Sequence, residues 1–426
     1  MNTVTDKKAI GFTAFGACLE WFEFTLYAFT APYLSVVFFP HDDKMVGLIL
    51  VFGVFAAGYL MRPLGGIIIG HIGDKKGRNY ALKLSIILMS LPMLITALSP
   101  TFEQVGALAV VILVFARMIQ GFSVGGEYTG VLVMLIEHAP KKHRGLITSL
   151  ATVSSSVGVL LSSMIVAILA HFFTFDQMVE WGWRATFMVG FVLAIISFYM
   201  QKSVSESPMY IQYRKESGAK KEMFPLLQTW RYHKKELMYV FVLTGYLGIA
   251  YYIMAAYLPN SLITLRNMDE STVLWITTFF SAVYAITAPL WGYLSDRLGR
   301  KVMIVIPTII LMLTAYPLFN IFTNGTFVLI MMAQGFLALL ISAATCAFQV
   351  AINELFPTDT RYSGVSASYN ISNALLGGTA PVIAALFVAQ TGNDLAPAYY
   401  LIIASFVTLL LIFKMPETKD SKHFHH

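Results

Sequence analysis

The chain has 426 residues, of which 57% are hydrophobic and only 12% charged, with a formal net charge of +6. Soluble domains carry about a quarter charged residues, so this composition excludes an ordinary water-soluble enzyme or a nucleic-acid-binding domain. Cys18 and Cys346 both fall inside apolar runs, which excludes a disulfide framework or a zinc site.

A helix crossing a hydrocarbon core of about 30 Å needs about 20 apolar residues. Runs of that kind cover residues 10–38, 46–69, 79–99, 106–136, 145–171 and 185–201, then 237–262, 272–293, 302–321, 327–353, 362–390 and 396–413. The expected fold is therefore an all-α membrane protein of twelve transmembrane helices. The first run is too long for a signal peptide and lacks a small-residue cleavage site. It carries Glu20 and Glu23, three apart and so on one helical face. Glu20 lies about 15 Å along the helix from Ile10, near mid-membrane. Trp21 and Tyr27 accompany the two acids and are candidate rings for a cationic group of a solute. In the second run Arg62 precedes Pro63 near one end, where its head is expected to snorkel towards water.

The second and third runs are joined by Gly70-His-Ile-Gly-Asp74-Lys-Lys-Gly77-Arg78. The fourth run holds Arg117 at a depth similar to Glu20, then Glu127, with Gly121, Gly125, Gly126 and Gly130 at spacings that let helices approach closely. It ends in Glu137-His-Ala-Pro140-Lys-Lys-His-Arg144. The hydroxyls of the fifth run (Thr152, Ser154, Ser155, Ser156, Ser162, Ser163) are expected mostly to bond back to their own helix.

A basic stretch follows the sixth run, with Lys202, Arg214, Lys215, Lys220, Lys221, Arg231, Lys234 and Lys235. It reads as a linker lying against anionic headgroups, giving an N-terminal bundle over 1–203, a linker over 204–235 and a C-terminal bundle over 236–426. The second half repeats the first. Gly292-Tyr-Leu-Ser-Asp296-Arg-Leu-Gly299-Arg300 joins runs eight and nine, and Glu354-Leu-Phe-Pro357-Thr-Asp-Thr-Arg361 follows run ten. Repetition at half the length inside a membrane points to a transporter of two pseudo-symmetric six-helix bundles.

Most of the 29 Lys and Arg fall on one side; the exceptions are Lys44, Arg184 and Arg266 in the opposite loops and Arg62 and Arg117 in the spans. The positive-inside rule then places both termini in the cytoplasm. His423, His425 and His426 at the end of the chain receive no role.

Charge inside a bilayer costs about 2.5–3.5 kcal/mol per residue on insertion scales, so it marks function. Glu20, Glu23, Arg117 and Glu127 sit inside the first bundle, whereas runs seven to twelve have no charged interior residue. One Glu neutralises Arg117, and a desolvated surplus carboxylate is suited to take up a proton. Tyr246, Tyr251, Tyr252 and Tyr257 of run seven, with Phe279, Phe280 and Tyr284 of run eight, offer rings for a cationic group. Gln334, Gln349, Asn353, Asn370 and Asn373 offer amides. Asp74 with Arg78, Asp296 with Arg300, and Arg144 and Arg361 lie at helix junctions and read as gates. His71, His138, His143 and His171 are scattered, so neither a metal, a cofactor nor an enzymatic activity is expected.

The repeated G-x-x-x-D-(K/R)-x-G-R loop resembles the signature loop of the major facilitator superfamily. Glu20-Trp-Phe-Glu23-Phe, Arg62-Pro-Leu-Gly-Gly66, Gln120-Gly-Phe-Ser-Val-Gly-Gly-Glu127-Tyr-Thr-Gly130 and Trp181-Gly-Trp-Arg184 resemble its metabolite:proton symporters, and most of all the proline/glycine-betaine branch. The resemblance implies the major facilitator fold. It also implies proton-coupled uptake of a small carboxylate-bearing solute, a zwitterion such as proline or glycine betaine, across a bacterial inner membrane by alternating access. Glu23 stands where the family usually has Asp. The same family accommodates an organic acid such as 2-oxoglutarate or citrate, although a dianion wants two cationic anchors and Arg117 is the central one. The expected partners are the solute, protons and the lipid bilayer, with no nucleic acid, and the chain is expected to act as a monomer. The long C-terminal coiled coil of some osmosensing members has no counterpart in this sequence, so osmotic activation is not expected.

Overall fold

The computed structural model describes residues 7–40, 44–216 and 225–419. Lys220 and Lys221 of the linker, and His423, His425 and His426, lie outside the described residues. All regular elements among the described residues are helical. The principal ones, in chain order, are α1 (Lys7–Phe38), α2 (Lys44–Lys76), α3 (Arg78–Leu98), α4 (Ala107–His138), α5 (Leu150–Phe172), α6 (Trp183–Lys202), α7 (Pro208–Glu216) and α8 (Pro225–Tyr232). There follow α9 (Lys234–Tyr252), α10 (Glu270–Leu298), α11 (Arg300–Asn324), α12 (Phe327–Glu354), α13 (Arg361–Ser372), α14 (Ala380–Thr391) and α15 (Ala396–Ile412). A five-residue helix, Arg144–Thr148, leads into α5.

Ten helical segments among the described residues are long and apolar enough to cross a membrane. The first helix is not among them, because Glu20 and Glu23 interrupt its apolar sequence, and α15 is a shorter apolar helix. Leu60, Phe172 and Ile286 are each about three-quarters exposed. Such apolar exposure marks a liability in water and is the expected surface towards lipid. The seventh and eleventh expected spans are broken by single π-helical turns at Ile253–Tyr257 and Asn373–Gly377, irregularities that recur at functional sites.

The chain divides into two compact units. One comprises Met1–His138, Ser154–Thr229 and Thr358–Ala367; the other comprises Ala139–Val153, Trp230–Pro357 and Ser368–His426. The division does not fall at the linker alone: each unit also takes in a short stretch from the other half of the sequence.

In the first unit the most extensive seam joins α2 and α4. Glycines make it possible. A Cβ on Gly121 would stand 1.8 Å from the Gly58 carbonyl oxygen, one on Gly65 1.7 Å from that of Phe122, and one on Gly125 2.1 Å from that of Arg62. Helices in lipid gain little from hydrophobic association, so such close van der Waals approach holds them together. Gly121→Ala is accordingly expected to destabilise the protein by about 1–3 kcal/mol, as overpacking does; thermal unfolding in detergent checks it. Phe22, Leu26, Leu34 and Phe38 of α1 pack with Met93, Trp183 and Phe187 into the core beneath this seam. Ser162 and Ser163 do bond back to their own helix, and Ser162 also meets Thr25 of α1 at 2.7 Å. In the second unit α12 packs on α10 and α11, and α15 on α11; Thr152 joins it by exchanging hydrogen bonds with Gln349.

Candidate functional site

Glu20, Glu23, Arg117 and Glu127 all lie in the first unit and are at most 4% exposed. Glu23 interacts electrostatically with Arg117 and Glu20, and Glu127 with Glu20 and Glu23. The four predicted charges are therefore one cluster. Arg117 is placed by close contacts other than a direct ion pair: its guanidinium lies over the Tyr27 ring at 3.6 Å, and it donates to the Gln120 side chain. Tyr27 is fully buried and its hydroxyl donates to the Val51 carbonyl at 3.0 Å. One face of that ring thus already holds a cation of the protein itself, so Tyr27 serves to seat Arg117.

Arg62 corrects the sequence reading. It does not snorkel; it is 3% exposed, lies 4.9 Å over the Tyr59 ring, and is the cation that interacts with Glu20. Its proximity to the end of a hydrophobic run concealed this, because depth along one helix says nothing about which neighbour covers the side chain. The cluster therefore holds three acids and two guanidiniums. The Oε2 atoms of Glu20, Glu23 and Glu127 and the Nη2 of Arg117 find no hydrogen-bond partner among the described residues. Buried charge left without full pairing costs several kcal/mol, so this arrangement favours a proton on one acid or a polar ligand at the arginine. Trp21 is half-buried beside it, with its ring edge-on to Tyr128 at 6.4 Å.

Tyr251 and Tyr252 belong to the second unit. Tyr251 lies 5.5 Å from both Tyr252 and Tyr284, and 6.2 Å from Phe280. Tyr251 and Tyr252 remain half-buried, whereas Tyr246 is enclosed. This aromatic group sits directly before the π-turn at Ile253–Tyr257.

The predicted gate residues assemble into two similar constructions, one in each unit. In the first, Asp74 accepts hydrogen bonds from the amides of Tyr362 (3.2 Å) and Ser363 (2.7 Å), capping the first turn of α13. Arg78 contacts Asp74 at 3.3 Å and grips both oxygens of Glu137 at 3.1 and 3.2 Å, and Arg361 pairs with the same carboxylate at 2.5 Å. In the second, Asp296 accepts from the amides of Gly145 (2.7 Å) and Leu146 (3.0 Å). Arg300 contacts Asp296 at 2.8 Å and Glu354 at 3.2 and 3.3 Å, with Arg144 more loosely held at 3.7 Å from Glu354.

Sequence reasoning missed the acids that complete both constructions. Glu206 accepts from the amides of Arg78 and Asn79 at the start of α3, and Glu417 from those of Arg300 and Lys301 at the start of α11. The next residues, Ser207 and Thr418, donate to Glu137 and Glu354. The repeated Glu-Ser and Glu-Thr pairs after α6 and α15 were the available signal. They also explain the loop glycines. Gly77 and Gly299 have φ of 115° and 102°, and a Cβ on either would strike the capping glutamate at 2.3 or 2.6 Å.

Known proteins resemble this chain along nearly its whole length. The family model described as "Sugar (and other) transporter" matches residues 10–225, and that described as "Major Facilitator Superfamily" matches residues 240–425. The glycine betaine/proline/ectoine/pipecolic acid transporter OusA of Dickeya dadantii is 33% identical, over 97% of this chain and 84% of that protein. The proline/betaine transporter of Salmonella typhimurium is 32% identical over the same shares. Among solved structures, the proton:xylose symporter XylE superposes with a TM-score of 0.81 at 18% identity, covering 99% of this chain and 98% of that one.

Proposed function

The chain belongs to the major facilitator superfamily of membrane transporters, and within it we propose that it is a proton symporter for a small zwitterion such as proline or glycine betaine. The observation that carries this reading is the surplus of one acid in the buried cluster of Glu20, Glu23, Glu127, Arg62 and Arg117. Arg117 binds the solute carboxylate, for which a guanidinium offers a bidentate fork. Glu20 or Glu23 carries the proton, and Trp21, Tyr251 and Tyr252 supply aromatic faces to the ammonium group. Twelve spans form two bundles, 1–203 and 236–426, with both termini on the cytoplasmic side of a bacterial inner membrane, and the transporter works as a monomer. The Asp74–Arg78–Arg361 and Asp296–Arg300–Arg144 constructions act as latches that hold one orientation of the alternating-access cycle. The names of the relatives support the substrate class.

A second reading, an organic-acid symporter, gains from Arg62, which supplies the second buried cation that a dianion requires. Glu20 already opposes that charge, which favours the zwitterion. Uptake into proteoliposomes with an imposed inward proton gradient decides the matter. Labelled proline or glycine betaine is expected to accumulate, and an excess of 2-oxoglutarate or citrate to leave it unchanged. Accumulation of the dicarboxylate instead overturns the zwitterion assignment.

A further inference from the structure

The two latches share their acids and arginines but differ at the residue that follows Arg144 and Arg361. The residue after Arg144 is Gly145, whose Cα side meets the backbone of Gly292, so that a Cβ on either would lie within 2.4 Å of the other's carbonyl oxygen. The residue after Arg361 is Tyr362, and it is fully buried. Its ring fills a notch that glycines keep open. A Cβ on Gly73 would stand 2.0 Å from the ring, and one on Gly130 1.9 Å from the hydroxyl oxygen. The hydroxyl donates to the Gly126 carbonyl at 2.8 Å. Ser366, one turn further along α13, bonds Thr129 at 2.9 Å and the Gly125 carbonyl at 3.2 Å. Residues 125–130 of α4 thus form the bed on which the start of α13 rests, and Glu127 lies within it.

Glu127 is 2% exposed and its Oε2 has no hydrogen-bond partner among the described residues. It interacts electrostatically with Glu20 and Glu23 of α1 and with Tyr362. Tyr362 is also within electrostatic reach of Asp74, Arg78 and Glu20. Glu127 is thus the group of the charged cluster that belongs to the seat of the latch as well.

We propose that Tyr362 is a positioning residue that couples the charged cluster to the latch, so that a neutral Glu127 keeps α13 seated on α4 and an ionised Glu127 loosens it. The phenol has one proton to donate. A carboxylate is a stronger acceptor than an amide carbonyl. With Glu127 ionised, the hydroxyl either turns its proton away from Gly126 or leaves its lone pairs against the new charge. Both weaken the seat in a low-dielectric interior. A carrier whose Glu127 is protonated then stays latched, and one whose Glu127 is ionised is released. The inference rests on the proposed role of the charged cluster, in which Glu127 is an acid besides the proton carrier Glu20 or Glu23, and its test needs neither solute nor gradient.

Ser366 is fully buried in the seat, and Ser366→Cys places a thiol there that a maleimide reaches when α13 lifts. The native cysteines are buried, and the parent protein supplies the background rate. In the full-length protein in detergent, alkylation is expected to accelerate about tenfold between about pH 5.5 and about pH 8.5, beyond the intrinsic thiolate effect measured on a free thiol. Glu127→Gln and Tyr362→Phe, both close in shape to the native residue, are each expected to flatten this excess, and the double variant to flatten it no further. The flattening by Glu127→Gln separates Glu127 from Asp74, Glu20 and Glu23, which that variant retains. An excess that is absent, or that survives either substitution, overturns the proposal. Failure of this test with intact proton-driven uptake removes the coupling role and leaves the symporter reading standing. Loss of proton-driven uptake with an intact alkylation response does the reverse.

Discussion

Glu137→Ala is expected to cost about 3–5 kcal/mol of stability, because it strips the carboxylate from two buried arginines at once. Arg78 holds Glu137 through two hydrogen bonds and Arg361 through a third, and the side chains of all three are inaccessible to solvent. Ser207 donates to the same group. Removing one partner of such a network leaves the others with only part of the charge that offset them, and that penalty exceeds the net worth of the interaction itself. Arg144→Ala in the second unit is the natural comparison. Its pair with Glu354 is longer, at 3.7 Å, and Glu354 keeps Arg300, so a smaller loss than that of Glu137→Ala follows. Thermal unfolding of the two variants in the same detergent measures the difference. Equal shifts would contradict this ranking of the two substitutions.

The second large effect falls on energy coupling. An inward gradient of about two pH units stores about 2.7 kcal/mol per proton, enough for roughly hundredfold accumulation of solute at one proton each. The double variant Glu20→Gln, Glu23→Gln is expected to lose this accumulation and still to exchange labelled for unlabelled solute across a membrane without a gradient. Arg117 keeps its seat over Tyr27 and its bond to Gln120 in that variant, so solute binding survives while proton carriage does not. Full gradient-driven accumulation by the double variant would place the proton elsewhere, with Glu127 the next acid of the cluster to replace.

How much of this was visible in the sequence differs from residue to residue. Glu20, Glu23, Arg117 and Glu127 stood out because charge is rare in apolar runs, and the structure gathers all four. Arg62 stands near a helix end in the sequence, and its burial comes from helices that a one-dimensional reading does not place beside it. Tyr27 was read as a ring for the solute. The structure gives one of its faces to Arg117, an alternative that composition does not distinguish. The Asp and Arg of the loops were recognised from their repetition. Their principal partners, Glu137 and Glu354, stand in the repeated segments, but the arginines they offset come from helices that the sequence does not place beside them. Glu206 and Glu417 cap helices distant in sequence, so neither local propensity nor periodicity identified them.

The sequence by itself determined the helical membrane class, the repeat of the two halves and the confinement of intramembrane charge to the first half. These follow from hydrophobic run length and from the cost of burying charge, both properties of the local chain. Only the tertiary structure decided which charges share a cluster, that 358–367 packs with the first unit and 139–153 with the second, and that Tyr362 fills a notch cut by Gly73 and Gly130. Those outcomes depend on close approach between segments far apart in sequence, where a missing Cβ on one helix admits the side chain of another.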